Sequence, residues 1–155
     1  MLLQVTKNNG KPHIIRYTRD NGTNTWMKTD DFFVRHDLSH YAIEKTLGYK
    51  TAFMGMLNNG MDIRDFDNRE KRLQISVTQE ACNAENMANL FLIETIAGNS
   101  SNFNEMLASA FSGMQQAFFA PVLSENEIDS IKRYLKKLLQ QWGKLPVGET
   151  LTLEF

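Results

Sequence analysis

Two of the three histidines, His36 and His40, stand four residues apart in FFVRHDLSHYAIEKTLG, residues 32–48. Asp37 follows the first, and Glu44 comes four residues after the second. Imidazole is the side chain that binds transition metals or moves protons near neutral pH. On a helix, i and i+4 positions stack with their Cβ atoms about 5–6 Å apart, close enough to share an ion. Glu44 continues the ridge, so His36, His40 and Glu44 make a candidate ligand set for a divalent metal. Three protein ligands with an open position hold catalytic zinc, and two histidines with one carboxylate also suit non-haem iron. Asp37 can orient a neighbouring imidazole as a hydrogen-bond acceptor.

A helical wheel shows where these groups point. With His36 at zero, Phe32, Phe33, Ile43 and Leu47 fall between about −40° and 60°, on the side of both histidines. Arg35, Ser39 and Thr46 lie opposite and mark the expected solvent stripe. Histidines on an apolar face admit three readings. They are metal ligands, a metal-free acid–base pair of His40 with Glu44, or neutral core groups paired with carboxylates and backbone. HDLSH is not the HExxH of a zincin, because Asp37 stands where the general-base glutamate belongs. An HD-type phosphohydrolase needs further separated ligands, and the one remaining histidine is His13, in an expected strand.

Weaker candidates lie elsewhere. Glu94 sits within the apolar run LFLIETIA; it is either a solvated glutamate at the helix margin or, if buried, needs a proton or a cation, such as a histidine of the helix above or an ion held there. Asp62, Asp65 and Asp67 form a loose oxygen set for calcium or magnesium without the EF-hand pattern. Met54, Met56, Met61 and Met87 can line an adaptable pocket or fill core. Cys82 has no basic neighbours in sequence to activate it. Phosphate loops, nucleophile elbows and CxxC pairs are absent from the sequence.

The elements that must position these groups follow from patterning. LLQVTK, HIIRYTR and TWMKTD are separated by Asn8-Asn9-Gly10 and Asn21-Gly22, both hairpin signals, giving a three-strand meander. The histidine segment is a helix capped by Thr29 or Asp30 and stopped by Gly48. Residues 51–60 predict a short helix and tight loop, and residues 61–76 a polar surface connection. Further helices are expected at 79–97, at 102–119 with a stripe that includes Phe103, Leu107, Phe111, Met114 and Phe118, and at 125–142 behind a Ser124/Glu127 capping box. The second of these helices is preceded by an expected turn at Asn99. ETLTLEF alternates as a strand and must pair with the meander. The expected fold is α+β, a small antiparallel sheet packed against about four helices in one domain spanning residues 1–155.

With 17 Lys and Arg against 18 Asp and Glu, the chain has no basic field to hold nucleic acid. One cysteine cannot form an internal disulfide, no signal-peptide pattern opens the sequence, and no apolar run is long enough to span a bilayer. Cytoplasmic residence is the expectation.

RHDLSHYAIEKTLGYKTAFMGMLNNGMDI and the terminal WGKLPVGETLTLEF together resemble a family of small bacterial proteins of unknown function. Its pattern is an HDLxHxxVE-like helix, a glycine-punctuated apolar stretch, and a tryptophan-led LPxG turn before the last strand. Here the matching positions are His36, Asp37, Leu38, His40 and Glu44, then Gly48, Phe53 and Gly55, then Trp142, Leu145, Pro146 and Gly148; Ile43 replaces the valine. The resemblance implies no established activity. Two functions therefore stand: a metal-binding, hydrolase-like protein, or a module with structural histidines that binds a small molecule or protein through segment 53–61.

Overall fold

The computed structural model describes residues 1–10, 12–98, 102–113 and 118–155. Alternation builds its sheet. In β1 (Leu2–Thr6), β2 (His13–Thr18) and β3 (Asn24–Thr29) every second side chain turns inward, burying Leu3, Val5, Ile15, Tyr17 and Thr25. The turns between them carry Gly10 and Gly22 at φ 78 and 83, left-handed values that only glycine takes without cost. The last strand, β4 (Thr150–Glu154), pairs antiparallel with β1, so the order is β3-β2-β1-β4. Val5 lies opposite Ile15 on one side and Leu151 on the other, which puts these three apolar side chains on one face.

Six α-helices are present among the described residues: α1 (Asp31–Leu47), α2 (Phe53–Asn58), α3 (Arg69–Arg72), α4 (Gln79–Ala97), α5 (Phe103–Ser112) and α6 (Glu125–Lys144). The result is the expected α+β architecture. A short 3₁₀ turn, Ile63–Asp65, and α3 break up the polar connection. The helix expected at 102–119 ends at Gly113, and Phe118–Leu123 has no regular structure. Met114 of the expected stripe and the turn at Asn99 lie outside the described residues. The Ser124/Glu127 capping box forms in full at the start of α6. Among the described residues no helix is long and apolar enough to cross a membrane.

α1 is the organising helix. Asp30 accepts the Phe33 N–H at its start, and Gly48 closes it at φ 69. It packs against both α4 and α6, while Tyr17 of the sheet reaches it by donating a hydrogen bond to Asp37. Every residue from Asp37 to Glu44 is therefore buried. This corrects the wheel-based expectation of one wet stripe. Ser39, expected in solvent, is fully buried, and its hydroxyl donates to the Arg35 carbonyl at 2.9 Å. Conversely Phe32 and Phe33, placed by the wheel on the inward side, stand exposed in the first turn. A wheel describes a helix with one covered face; here several neighbours close round the middle and leave the first turn open.

The third histidine is remote in role. His13 accepts the Asn8 N–H and meets Trp142 edge-on at 5.0 Å between centroids. The Trp142 indole N–H donates to Asp31 at 2.8 Å, which ties α6 to the start of α1. This cluster is packing, away from the other two imidazoles.

Candidate metal centre

One turn of helix brings the His36 and His40 rings together, 4.7 Å between centroids. The group that joins them comes from α4. Glu85 places Oε2 3.2 Å from His40 Nε2 and Oε1 3.5 Å from His36 Nε2. Ligand atoms of His36, His40 and Glu85 all lie within 4.8 Å of one another. Two imidazole nitrogens and a carboxylate at that spacing can close on one divalent ion with modest side-chain movement, and the donor set suits zinc or iron.

Glu44 occupies a different place from the one its position on the ridge suggests. It sits on the other side of the His40 ring, with Oε1 3.0 Å from Nδ1, and its second oxygen accepts the Met54 N–H at 2.9 Å. Its exposure is 0%. Both oxygens are thus engaged on the side of His40 away from Glu85. The ridge His36–His40–Glu44 exists, but the structure clusters the two histidines with Glu85 and leaves Glu44 holding the ring of one of them.

A chain of supports fixes that hold. The loop before α2 is pinned to α4 because Glu80 accepts the N–H groups of Lys50 and Thr51, at 2.8 and 2.6 Å, and the Thr51 hydroxyl. At the far end of α2, Arg19 donates to the carbonyls of Leu57 and Met61. Within α2, a Cβ on Gly55 would collide with the Lys50 carbonyl, so only glycine lets the helix lie this close to the loop. The Met54 N–H is in this way delivered to Glu44. On the other side of α1, Asp37 accepts the Tyr17 hydroxyl at 2.5 Å and lies 3.8 Å from His36 Nδ1.

The electrostatics follow from the carboxylates. Burial opposes charging His40, but Glu44 and Glu85 outweigh it and raise its pKa from 6.5 to about 9. His36 is shifted the same way, burial being overcome by Asp37 and Glu85. Hydrogen bonds from His36 and His40 hold Glu85 well below the usual carboxylate range. Glu44 moves upward because burial dominates, partly offset by His40 and the Met54 N–H. Burial, with Asp37 beside it, pushes the Tyr17 hydroxyl well above its ordinary range.

The cluster faces a cavity of about 1270 Å³. Phe53 lies 5.1 Å from the His40 ring and 5.0 Å from Phe66, forming an aromatic wall. Met56 also lines the cavity, whereas Met54 and Met87 are fully buried in the core.

The other sequence candidates resolve into structural partners. Buried Glu94 meets Lys132 of α6 at 3.0 Å, not a histidine of α1. Asp62 pairs with Arg64, and Asp65 with Lys71. Burial and the nearby Glu85 raise the Cys82 thiol, which disfavours the reactive thiolate. Glu85 and Tyr17 were invisible as site residues in the sequence. Glu85 stands in an ordinary amphipathic helix, and only the pairing of α1 with α4 reveals its position.

No protein-family model matches the sequence, and no curated protein or solved structure matches it.

Proposed function

We propose that this protein holds a divalent transition metal, zinc or iron, on His36, His40 and Glu85 and uses it to activate water for hydrolysis. One observation carries the reading: three ligating side chains from two helices converge within 4.8 Å at the wall of a cavity. Their surroundings support it. A metal-bound histidine usually donates its other ring N–H to a carboxylate, which fixes the tautomer and raises the basicity of the ligating nitrogen. Glu44 stands ready to accept that proton from His40 Nδ1, leaving Nε2 for the ion. An ion with three protein ligands keeps a position for water, whose pKa it lowers to about 7. The test is metal content and zinc titration of untagged protein. The reading predicts one ion per chain, lost in His36→Ala and in His40→Ala; absence of stoichiometric metal together with no thermal shift on adding zinc, iron or manganese overturns it.

A second reading has its own observation. Both His40 nitrogens already have carboxylate partners, so an imidazolium bridging Glu44 and Glu85 pins α1 to α4 with no ion present. The protein is then a non-enzymatic module that binds a small molecule or protein at the cavity. It predicts that histidine variants lose stability and that metal has no effect on the native protein.

A further inference from the structure

The cavity says what kind of substrate such a centre would meet. Most of its lining side chains are apolar, including Met27, Phe33, Phe53, Phe66 and Ile75. His40, 2% exposed, lies at its floor, while Phe33 and Val77, about half exposed, stand toward solvent. The polar groups in the walls are largely engaged: Asp37 accepts the Tyr17 hydroxyl, and the Asn86 amide donates to the Cys82 carbonyl. A sugar or a peptide backbone would lose water there and leave several of its polar groups unpaired. Phosphorylated compounds are disfavoured too: among the described residues of the lining Lys28 is the one lysine or arginine, beside Asp30, Asp37, Asp67 and Glu85. The volume exceeds the ~300–1,000 Å³ typical of small-molecule sites, which leaves room for a long ligand body.

Resting on the metal reading above, we infer that the substrate is a compound with an extended apolar body, alkyl or aryl, and a single metal-seeking oxygen group at one end. The oxygen end reaches the ion on His36, His40 and Glu85, and the body lies along the aromatic wall of Phe53 and Phe66 toward Phe33 and Val77.

The test is zinc binding to the full chain, followed by calorimetric titration of the zinc-loaded protein with straight-chain hydroxamic acids from acetohydroxamate to decanohydroxamate. Each added methylene that enters the cavity tightens binding about fourfold, the ratio that corresponds to ~0.8 kcal/mol. Val77→Asp, at a half-exposed loop position that the fold tolerates, weakens the long members at least tenfold and leaves acetohydroxamate unchanged. Zinc binding with affinity independent of chain length overturns the inference and leaves the metal reading standing. Failure to bind zinc removes both.

Discussion

Glu44→Gln separates a ligand from the residue that holds a ligand, and its effect can be worked from the geometry. Glu44 uses two oxygens: one faces His40 Nδ1 at 3.0 Å and the other accepts the Met54 N–H at 2.9 Å. Glutamine keeps the shape but has only one oxygen. If that oxygen turns to Met54, the amide NH₂ faces His40 Nδ1, which must then be unprotonated and accept. The imidazole proton moves to Nε2, where Glu85 at 3.2 Å can accept it. That tautomer has no lone pair for an ion. If the oxygen turns instead to His40, two N–H donors confront each other at Met54, and a buried amide loses its acceptor, at about 1–3 kcal/mol.

The metal-free variant therefore adopts the first arrangement, and binding an ion must reverse it. Zinc affinity should fall about 10- to 100-fold, the usual effect of removing the carboxylate behind a ligating histidine, or roughly 1.4–2.7 kcal/mol. The loss of a charged partner for His40 should also lower stability by about 1.5–3 kcal/mol. Competition with a chelator of known affinity measures the first quantity and urea denaturation of the metal-free protein the second. Nitrogen-15 chemical shifts of the His40 ring report the tautomer directly. Zinc affinity within twofold of wild type, alongside the stability loss, would refute the tautomer argument and leave Glu44 a purely structural group.

Further outcomes follow from the same network. Glu85→Gln should abolish tight zinc binding while changing stability by less than about 1 kcal/mol, because the replaced carboxylate is 55% exposed; calorimetry and thermal melts check both halves. The metal-free protein should be most stable between the regions where Glu85 and His40 titrate. His40 has a folded pKa of about 9 against 6.5 unfolded, so its contribution is complete below pH 6.5 and is lost as pH rises through 9, on the order of 3 kcal/mol. Glu85 is shifted down from 4.5, so its contribution is present above that pH and is lost as pH falls; urea midpoints from pH 3 to 10 measure the curve, and His40→Gln should flatten its alkaline side. Gly55→Ala should cost about 1–3 kcal/mol or more by driving α2 off the Lys50 carbonyl, and should weaken zinc binding because Met54 no longer steadies Glu44.

What the sequence revealed and what it hid divide by the range of the interaction. Hairpin glycines at 10 and 22, the capping box at Ser124 and Glu127, and the left-handed stop at Gly48 are set within four residues of each other in the chain, and each formed as read. The fourth strand was legible because an alternating segment needs an edge and the meander offered one. The pairing of His36 with His40 is likewise local, one turn of helix. Glu85 is 45 residues from His40, and no rule of spacing within α1 or α4 points one helix at the other. The same ignorance of neighbours misplaced Ser39, Phe32 and Phe33, whose exposure depends on α1 being enclosed in its middle and open at its first turn. Glu94 shows the same limit: the sequence left open whether it was solvated or buried, and in the fold it is buried against Lys132 of α6, not against α1.

The asymmetry between the two carboxylates on His40 bears on which reading of the site prevails. A network built only to join α1 and α4 gains most when both carboxylates are sealed, since exposure screens an ion pair toward zero. Glu44 is sealed: it has no exposure, and both its oxygens are engaged, one by a buried backbone N–H. Glu85 is not; its side chain stays 55% exposed and lines the cavity. A structural bridge has no use for that openness. For a metal centre the division is what the chemistry requires. The sealed carboxylate fixes the ring, while the open one, at the cavity wall, would be free to join His36 and His40 in holding an ion. The exchange carries a proton balance: His40, held charged up to about pH 9, must release a proton when Nε2 takes the ion. Zinc titrations at pH 7 in buffers of differing ionisation enthalpy should count at least one proton released per ion, the one from His40 plus whatever share His36, also shifted upward, carries, and a count of zero would mean that zinc binds without engaging Nε2.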